Sequence, residues 1–135
     1  MPIADPEYHK DQDNYPNETV KEFAHLASKV NEFIFATPIY HNSYSGVLKN
    51  ALDHLARVHF TDKPIGLISH GGNRTPQAID HLRIVARGLN GVCIPTQVCT
   101  SSDDFKEMEI KNEKIIGRID RFTDEMVKFC NLFEN

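Results

Sequence analysis

Glu32-Phe33-Ile34-Phe35-Ala36-Thr37-Pro38 decides the fold. The stretch is apolar without alternation and is halted by a proline. Such a run suits a parallel strand covered on both faces, since an antiparallel strand with one wet face alternates apolar and polar residues. Before it, Asn17 or Thr19 can cap a helix. That helix is expected to bury Val20, Phe23, Leu26, Ala27 and Val30, spaced by three and four. After it, Ser45-Gly46 opens a second helix with Val47, Leu48, Ala51, Leu52 and Leu55 as its inner stripe.

The same alternation continues. Pro64-Ile65-Gly66-Leu67-Ile68-Ser69 is a second short apolar strand, and Thr75-Pro76 starts a helix, a capping residue followed by a first-turn proline. This helix buries Ile79, Leu82, Val85 and Leu89 and stops near Gly88 and Gly91. Val92 to Val98 is a third strand, which Pro95 confines to a sheet edge because proline cannot donate to a ladder. A final helix carries Ile115, Ile119, Phe122, Met126, Phe129 and Phe133 as a long stripe best read as core packing. Residues 1–16, with Pro2, Pro6 and Pro16, are expected to be irregular. Helices and strands in strict alternation give an α/β protein, a parallel sheet joined by right-handed crossovers.

At 135 residues the chain is expected to form a single domain, residues 1–135. Hydrophobic residues at 40% and charged residues at 25% suit a globular protein with a real core. A net charge of −4 argues against a nucleic-acid partner, which calls for a basic face. No apolar run is long enough for a membrane span, and the first residues have no signal-peptide pattern. The three cysteines, Cys93, Cys99 and Cys130, include no CxxC pair, so no disulfide framework and no metal site is expected. Cys93 and Cys99 are six apart and would share one face of the third strand as buried thiols. A reducing, cytoplasmic setting fits them.

In open α/β sheets ligands bind beyond the carboxyl ends of the strands. Two loops stand there, Thr37-Pro38-Ile39-Tyr40-His41-Asn42-Ser43-Tyr44-Ser45-Gly46 and Ser69-His70-Gly71-Gly72-Asn73-Arg74. Each leads into a helix N-terminus, whose spare N–H groups favour electron-rich ligand edges. Gly71 and Gly72 allow close approach of the main chain, and Tyr40 and Tyr44 are aromatic walls. A planar ring with acceptor atoms along one edge fits this arrangement. Taken alone, Gly-Gly and Tyr-His-Asn-Ser are also ordinary turn chemistry.

Thr37-Pro38-Ile39-Tyr40-His41-Asn42-Ser43 followed by Gly46-Val47-Leu48-Lys49-Asn50-Ala51-Leu52-Asp53 resembles the signature of NADPH-dependent FMN reductases, a flavodoxin-like family that includes azobenzene and quinone reductases. Lys63-Pro64, Gly71-Gly72, Leu82-Arg83 and Val92 to Val98, with Pro95 and Gln97, are similar to its later blocks. The resemblance implies a three-layer flavodoxin-like sheet and an FMN-dependent NAD(P)H oxidoreductase. Electrons would pass from NADPH through FMN to a small-molecule acceptor: a quinone, an azo compound or free flavin. Carried over residue by residue, Pro38, Ile39, Tyr40 and His41 line one side of the flavin ring, partly through backbone groups, and Ser69, His70, Gly71 and Gly72 hold its other edge. Ile39 stands where the family usually has Glu, which leaves no polar role there. No side chain is assigned as general acid or base, because the cofactor carries the reactivity. The helix bearing Leu48, Lys49, Asn50 and Asp53 is the dimer-forming element of similar proteins, so a homo-oligomer is expected.

The resemblance also implies an N-terminally truncated version of that fold, with the family's first two strands, first helix and phosphate-binding loop absent. Strand 32–37 would then be an apolar sheet edge. Two or more missing charge-assisted bonds, each about 1.5–3 kcal/mol, would weaken FMN binding roughly a thousandfold. The alternative is a non-catalytic flavodoxin-like binding or oligomerisation module.

Overall fold

The computed structural model describes residues 1–8, 11 and 14–133. Three strands, β1 (Phe33–Pro38), β2 (Pro64–His70) and β3 (Val92–Thr100), form a parallel sheet in the order β1-β2-β3. Four helices alternate with them: α1 (Glu18–Lys29), α2 (Gly46–Asp53), α3 (Gln77–Gly88) and α4 (Glu113–Phe133). β1 and β2 pair without interruption from Phe33↔Ile65 to Pro38↔His70. β3 slips against β2, with Ile65 opposite Cys93 but Leu67 opposite Gln97. The extra residues surround Pro95, which has no N–H for the ladder, and the Glu125 carboxylate accepts the neighbouring Thr96 N–H at 2.8 Å. The slip is even, so Cys93 and Cys99 still face the same packing layer.

Each face of the sheet has its own core. Phe35, Ile65, Leu67 and Phe60 join Ala24 and Ala27 of α1, Leu52 of α2, and Ile79, Leu82 and Ala86 of α3. On the opposite face Ile94 and Val98 meet Ile115, Phe122 and Met126 of α4. Gly66 lets α4 lie directly on β2, since a Cβ there would stand 2.3 Å from Phe122 Cζ. Full burial of side chains such as Phe60, Leu67 and Ile79 is worth about 1.5–3 kcal/mol each, so these layers carry the fold.

The local signals set the helix starts. Asn17 accepts from the Val20 N–H and Ser45 from the Leu48 N–H, each closing a spare donor in a first turn. Thr75-Pro76 differs from expectation: the helix begins at Gln77, and no side chain caps it. Several apolar positions also lie outside the core. Leu26, Val30, Val47 and Phe133 are exposed, Val47 at 82%. β1 is covered on one face only, because α4 reaches β2 and β3 but leaves Ile34, Ala36 and Pro38 open. An apolar run reports burial potential, and it cannot name the element that does the covering. β1 is an edge of the described sheet, as read. A two-residue hairpin, β4 (Phe105–Lys106) with β5 (Glu109–Ile110), follows β3 and had no counterpart in the sequence reading.

Candidate functional site

The two loops read as a site stand side by side at the carboxyl rim of the sheet. The Ile39 N–H donates to the His70 carbonyl at 2.8 Å, and the Gly71 N–H donates to the Thr100 carbonyl at 2.9 Å, so the ends of all three strands are tied together. Gly71 (φ +140°) packs so closely on Ile39 that a Cβ would lie 3.3 Å from the Ile39 Cβ. The rim is therefore one continuous surface that runs from Tyr40 to Gly72.

The first loop folds on itself. Tyr40 and Ser43 exchange N–H···O=C bonds of 2.9 and 3.0 Å around His41 and Asn42. Both turn residues have positive φ, +48° and +62°, the conformation of a tight two-residue hairpin turn. Thr37 Oγ1 accepts from the Ser45 N–H at 2.9 Å and fixes the loop's return to α2. Tyr40 is 61% exposed. Tyr44, read as a second aromatic wall, packs instead against the core below.

The second loop is held from outside. Arg74, at φ +56°, sends Nε and Nη2 to the two carboxylate oxygens of Asp104, both at 2.8 Å. Asp104 is fully buried and also accepts from the Ser101 N–H at 2.8 Å and from Asn112 Nδ2 at 2.6 Å. The Arg74 bonds above all, with the donors of Ser101 and Asn112, hold its carboxyl well below the usual carboxylate range, against the opposing effect of burial. His70 Nδ1 lies 2.9 Å from Thr100 Oγ1, and its ring meets Phe105 edge-on with centroids 5.6 Å apart.

Of the residues read as a site, Pro38, Ile39, Tyr40, His41, His70, Gly71 and Gly72 lie on this rim with at least part of their surface open. Ser69 differs: it is fully buried, and its Oγ has no protein partner among the described residues. Arg74 was read only as the end of the second loop, with no role, and Asp104 and Phe105 were not singled out. The only signal for Asp104 was its place in Ser101-Ser102-Asp103-Asp104, which reads as an ordinary polar turn.

The rim has the chemistry for an electron-rich ring edge. Among the described residues, the main-chain N–H groups of His41, Asn42, Gly72 and Asn73 donate to no protein acceptor. Gly72 has open space where a Cβ would be. Beside the first loop runs a largely apolar groove of about 430 Å³, bordered by Pro38, Tyr40, Val47, Leu48 and Ala51. That size is within the range of small-molecule sites. A larger groove of about 630 Å³ lies toward the amino end of β1, against Val30, Ile34 and Val127. It contains none of the residues read as a site and sits at the end of the sheet where ligands seldom bind, so volume does not decide the matter. No group of three metal-ligating side chains occurs among the described residues, and no described helix is long and apolar enough to cross a membrane.

Known proteins resemble this chain in sequence and in fold. The FMN-dependent NADPH-azoreductase of Staphylococcus saprophyticus is 40% identical over 109 residues, 76% of this chain and 58% of that protein. The Staphylococcus aureus protein of the same description is 38% identical over 120 residues, 84% of this chain and 64% of its own length. The chain thus spans about three fifths of the curated relatives it matches. Among solved structures, an oxidoreductase from Corynebacterium diphtheriae superposes with a TM-score of 0.74 at 24% identity, covering 84% of this chain and 63% of that one. A flavoenzyme NAD(P)H:(acceptor) oxidoreductase from Paracoccus denitrificans gives 0.74 at 21% identity over 96% of this chain and 76% of its own. These two establish the α/β, flavodoxin-like fold. Residues 2–105, which include both rim loops and the helix between β1 and β2, match the family described as NADPH-dependent FMN reductase, and the chain belongs to that family.

Proposed function

We propose that this chain works as an FMN-dependent NAD(P)H oxidoreductase that passes electrons from NADPH to a quinone, an azo compound or free flavin. The observation that carries the reading is the pair of rim loops, tied by the Ile39–His70 bond, with four main-chain donors left over. Pro38, Ile39, Tyr40 and His41 line one side of the ring. His70, Gly71 and Gly72 hold the other edge, and the buried Ser69 supports them from beneath. When bound, the flavin supplies reversible two-electron chemistry, so the reading needs no side chain as general acid or base. The protein's work is alignment and exclusion of water: the Gly72 and Asn73 N–H groups donate to ring acceptors, Tyr40 walls the ring, and Ile39 packed on Gly71 seals its base.

The chain acts as a homo-oligomer in the cytoplasm. The 82% exposure of Val47 on α2 supports the first statement, and three cysteines that form no disulfide support the second. An optical titration tests the function. FMN fluorescence should be quenched on addition of the protein, and NADPH absorbance should fall when an azo dye or a naphthoquinone follows. Riboflavin serves as the control that separates ring recognition from phosphate recognition. If neither flavin binds, the reductase reading fails and the non-catalytic module takes its place.

A further inference from the structure

The hairpin after β3 belongs to no element of the site as read from the sequence, yet the structure fastens it to the glycine loop at two points. Asp104, directly before β4, receives both prongs of Arg74 from the end of that loop. The same residue's main-chain carbonyl accepts from the Lys111 N–H at 2.8 Å, directly after β5, while its carboxylate accepts from Asn112 Nδ2. One buried residue thus clasps both ends of the hairpin and the loop. The second point is the face the hairpin offers: Phe105 remains 36% exposed and sets its ring edge-on to His70 at 5.6 Å and 79°. His70 in turn is anchored to Thr100.

We propose that the β4–β5 hairpin is a third wall of the rim site, with Phe105 as a specificity-determining contact for flat aromatic electron acceptors and Arg74–Asp104 as the positioning pair that holds it beside His70. The inference rests on the flavin reading above and adds the class of acceptor to it. An aromatic edge next to His70 adds attraction for a second ring, and it adds nothing for a small inorganic acceptor. Arg74 suits the positioning task because its planar guanidinium meets both carboxylate oxygens at once, a geometry that lysine does not reproduce.

The experiment compares an azo dye with ferricyanide as acceptors for the FMN-loaded protein, and adds amide hydrogen exchange on the protein without flavin. In Phe105→Ala the ratio of KM for the dye to KM for ferricyanide should rise about three- to tenfold, the scale of one aromatic contact. Phe105→Tyr should restore the ratio and Phe105→Leu should not. Arg74→Gln should raise the same ratio and, without flavin, speed exchange at residues 105–110 and 71–74 by at least tenfold, leaving β2 amides unchanged. An unchanged ratio in Phe105→Ala, or a ratio equally restored by leucine, overturns the wall. Unchanged exchange in Arg74→Gln, or exchange that quickens equally in β2, overturns the clasp. Wild-type protein that binds no flavin overturns the reductase reading and the acceptor role of Phe105 together, and the exchange data still decide the clasp by themselves.

Discussion

The two loops at the carboxyl rim achieve order in opposite ways. Loop 37–46 is held mostly by its own sequence neighbours: Tyr40 closes on Ser43, Thr37 on Ser45, and Ser45 caps the helix that follows, with the Ile39–His70 and Ser43–His81 bonds as its remote ties. Loop 69–74 makes few such bonds and is held by residues some thirty positions away, Thr100 and Asp104. Local order depends on turn chemistry at a few residues. Remote order depends on a single buried node, and loss of that node is felt at every group it joins. The first loop should therefore tolerate substitution in small steps, and the second should fail abruptly.

The largest effect is expected at that node. Asp104→Ala removes the acceptor of the Ser101 N–H, Asn112 Nδ2 and the Arg74 guanidinium in one step. Donors left unpaired in a buried place cost about 1–3 kcal/mol, and the loss of stability should reach roughly 2–3 kcal/mol in urea denaturation. A drop under half of that would mean that water replaces the carboxylate easily and that the node is ornamental.

The same node has a pH signature, smaller because protonation weakens the contact without deleting it. The folded state holds the Asp104 carboxyl below its ordinary range, so folding binds this proton less tightly than the unfolded chain does. The stabilisation is then complete above the unfolded carboxylate value, about 3.9, and drains away as pH falls through the folded value. The stability gap between wild type and Asp104→Asn should be constant from pH 7 to about pH 5 and should shrink in more acidic solution. A gap that shrinks near neutrality would assign the effect to another group.

Next come the adjacent glycines. Gly71 combines a φ of +140° with Ile39 pressed against it, and Gly72 has a φ of +46° and open space. Alanine at 71 meets both backbone strain and crowding, about 1–3 kcal/mol. Alanine at 72 meets only the left-handed penalty, roughly 1–2 kcal/mol. Gly72→Ala should nonetheless harm flavin affinity more than it harms folding, since its methyl group fills the space that a ring edge would use. Denaturation curves and flavin titrations on the two variants separate these effects, and equal ratios of the two losses would remove Gly72 from the site.

These contrasts mark what the sequence could and could not reveal. The order of α1 to α4 and β1 to β3 was legible because each carries a periodic or continuous apolar signal, and the rim loops were legible because Pro38 and Gly71-Gly72 punctuate strand ends. The exposed faces of Ile34 and Val47 were not, because periodicity gives a stripe and never its cover. Thr75-Pro76 carried a strong capping signal, and the helix still began at Gln77 without a side-chain cap. Strands of two residues are too short to show a period, so no local signal marks β4 and β5. Asp104 was invisible for a deeper reason: its partner Arg74 is thirty residues away, and no local rule pairs them.

The smallest expected effect lies in the self-held loop, and it is a gain. His41 and Asn42 both occupy positive φ in a two-residue turn, where Asn-Gly is the favoured pair because asparagine tolerates this region and glycine has no Cβ to strain it. Asn42→Gly relieves strain at one position and loosens the unfolded chain, so the two partly cancel. The double change His41→Asn, Asn42→Gly relieves both positions and should stabilise by roughly 0.5–1 kcal/mol, read as a higher urea midpoint with an unchanged slope. Because the turn backbone is kept, flavin affinity should change little unless the His41 imidazole itself touches the ring. A stability gain with unaltered affinity would confine His41 to a backbone role. A gain in stability with a clear loss of affinity would place its side chain at the flavin and make the first loop more than a scaffold.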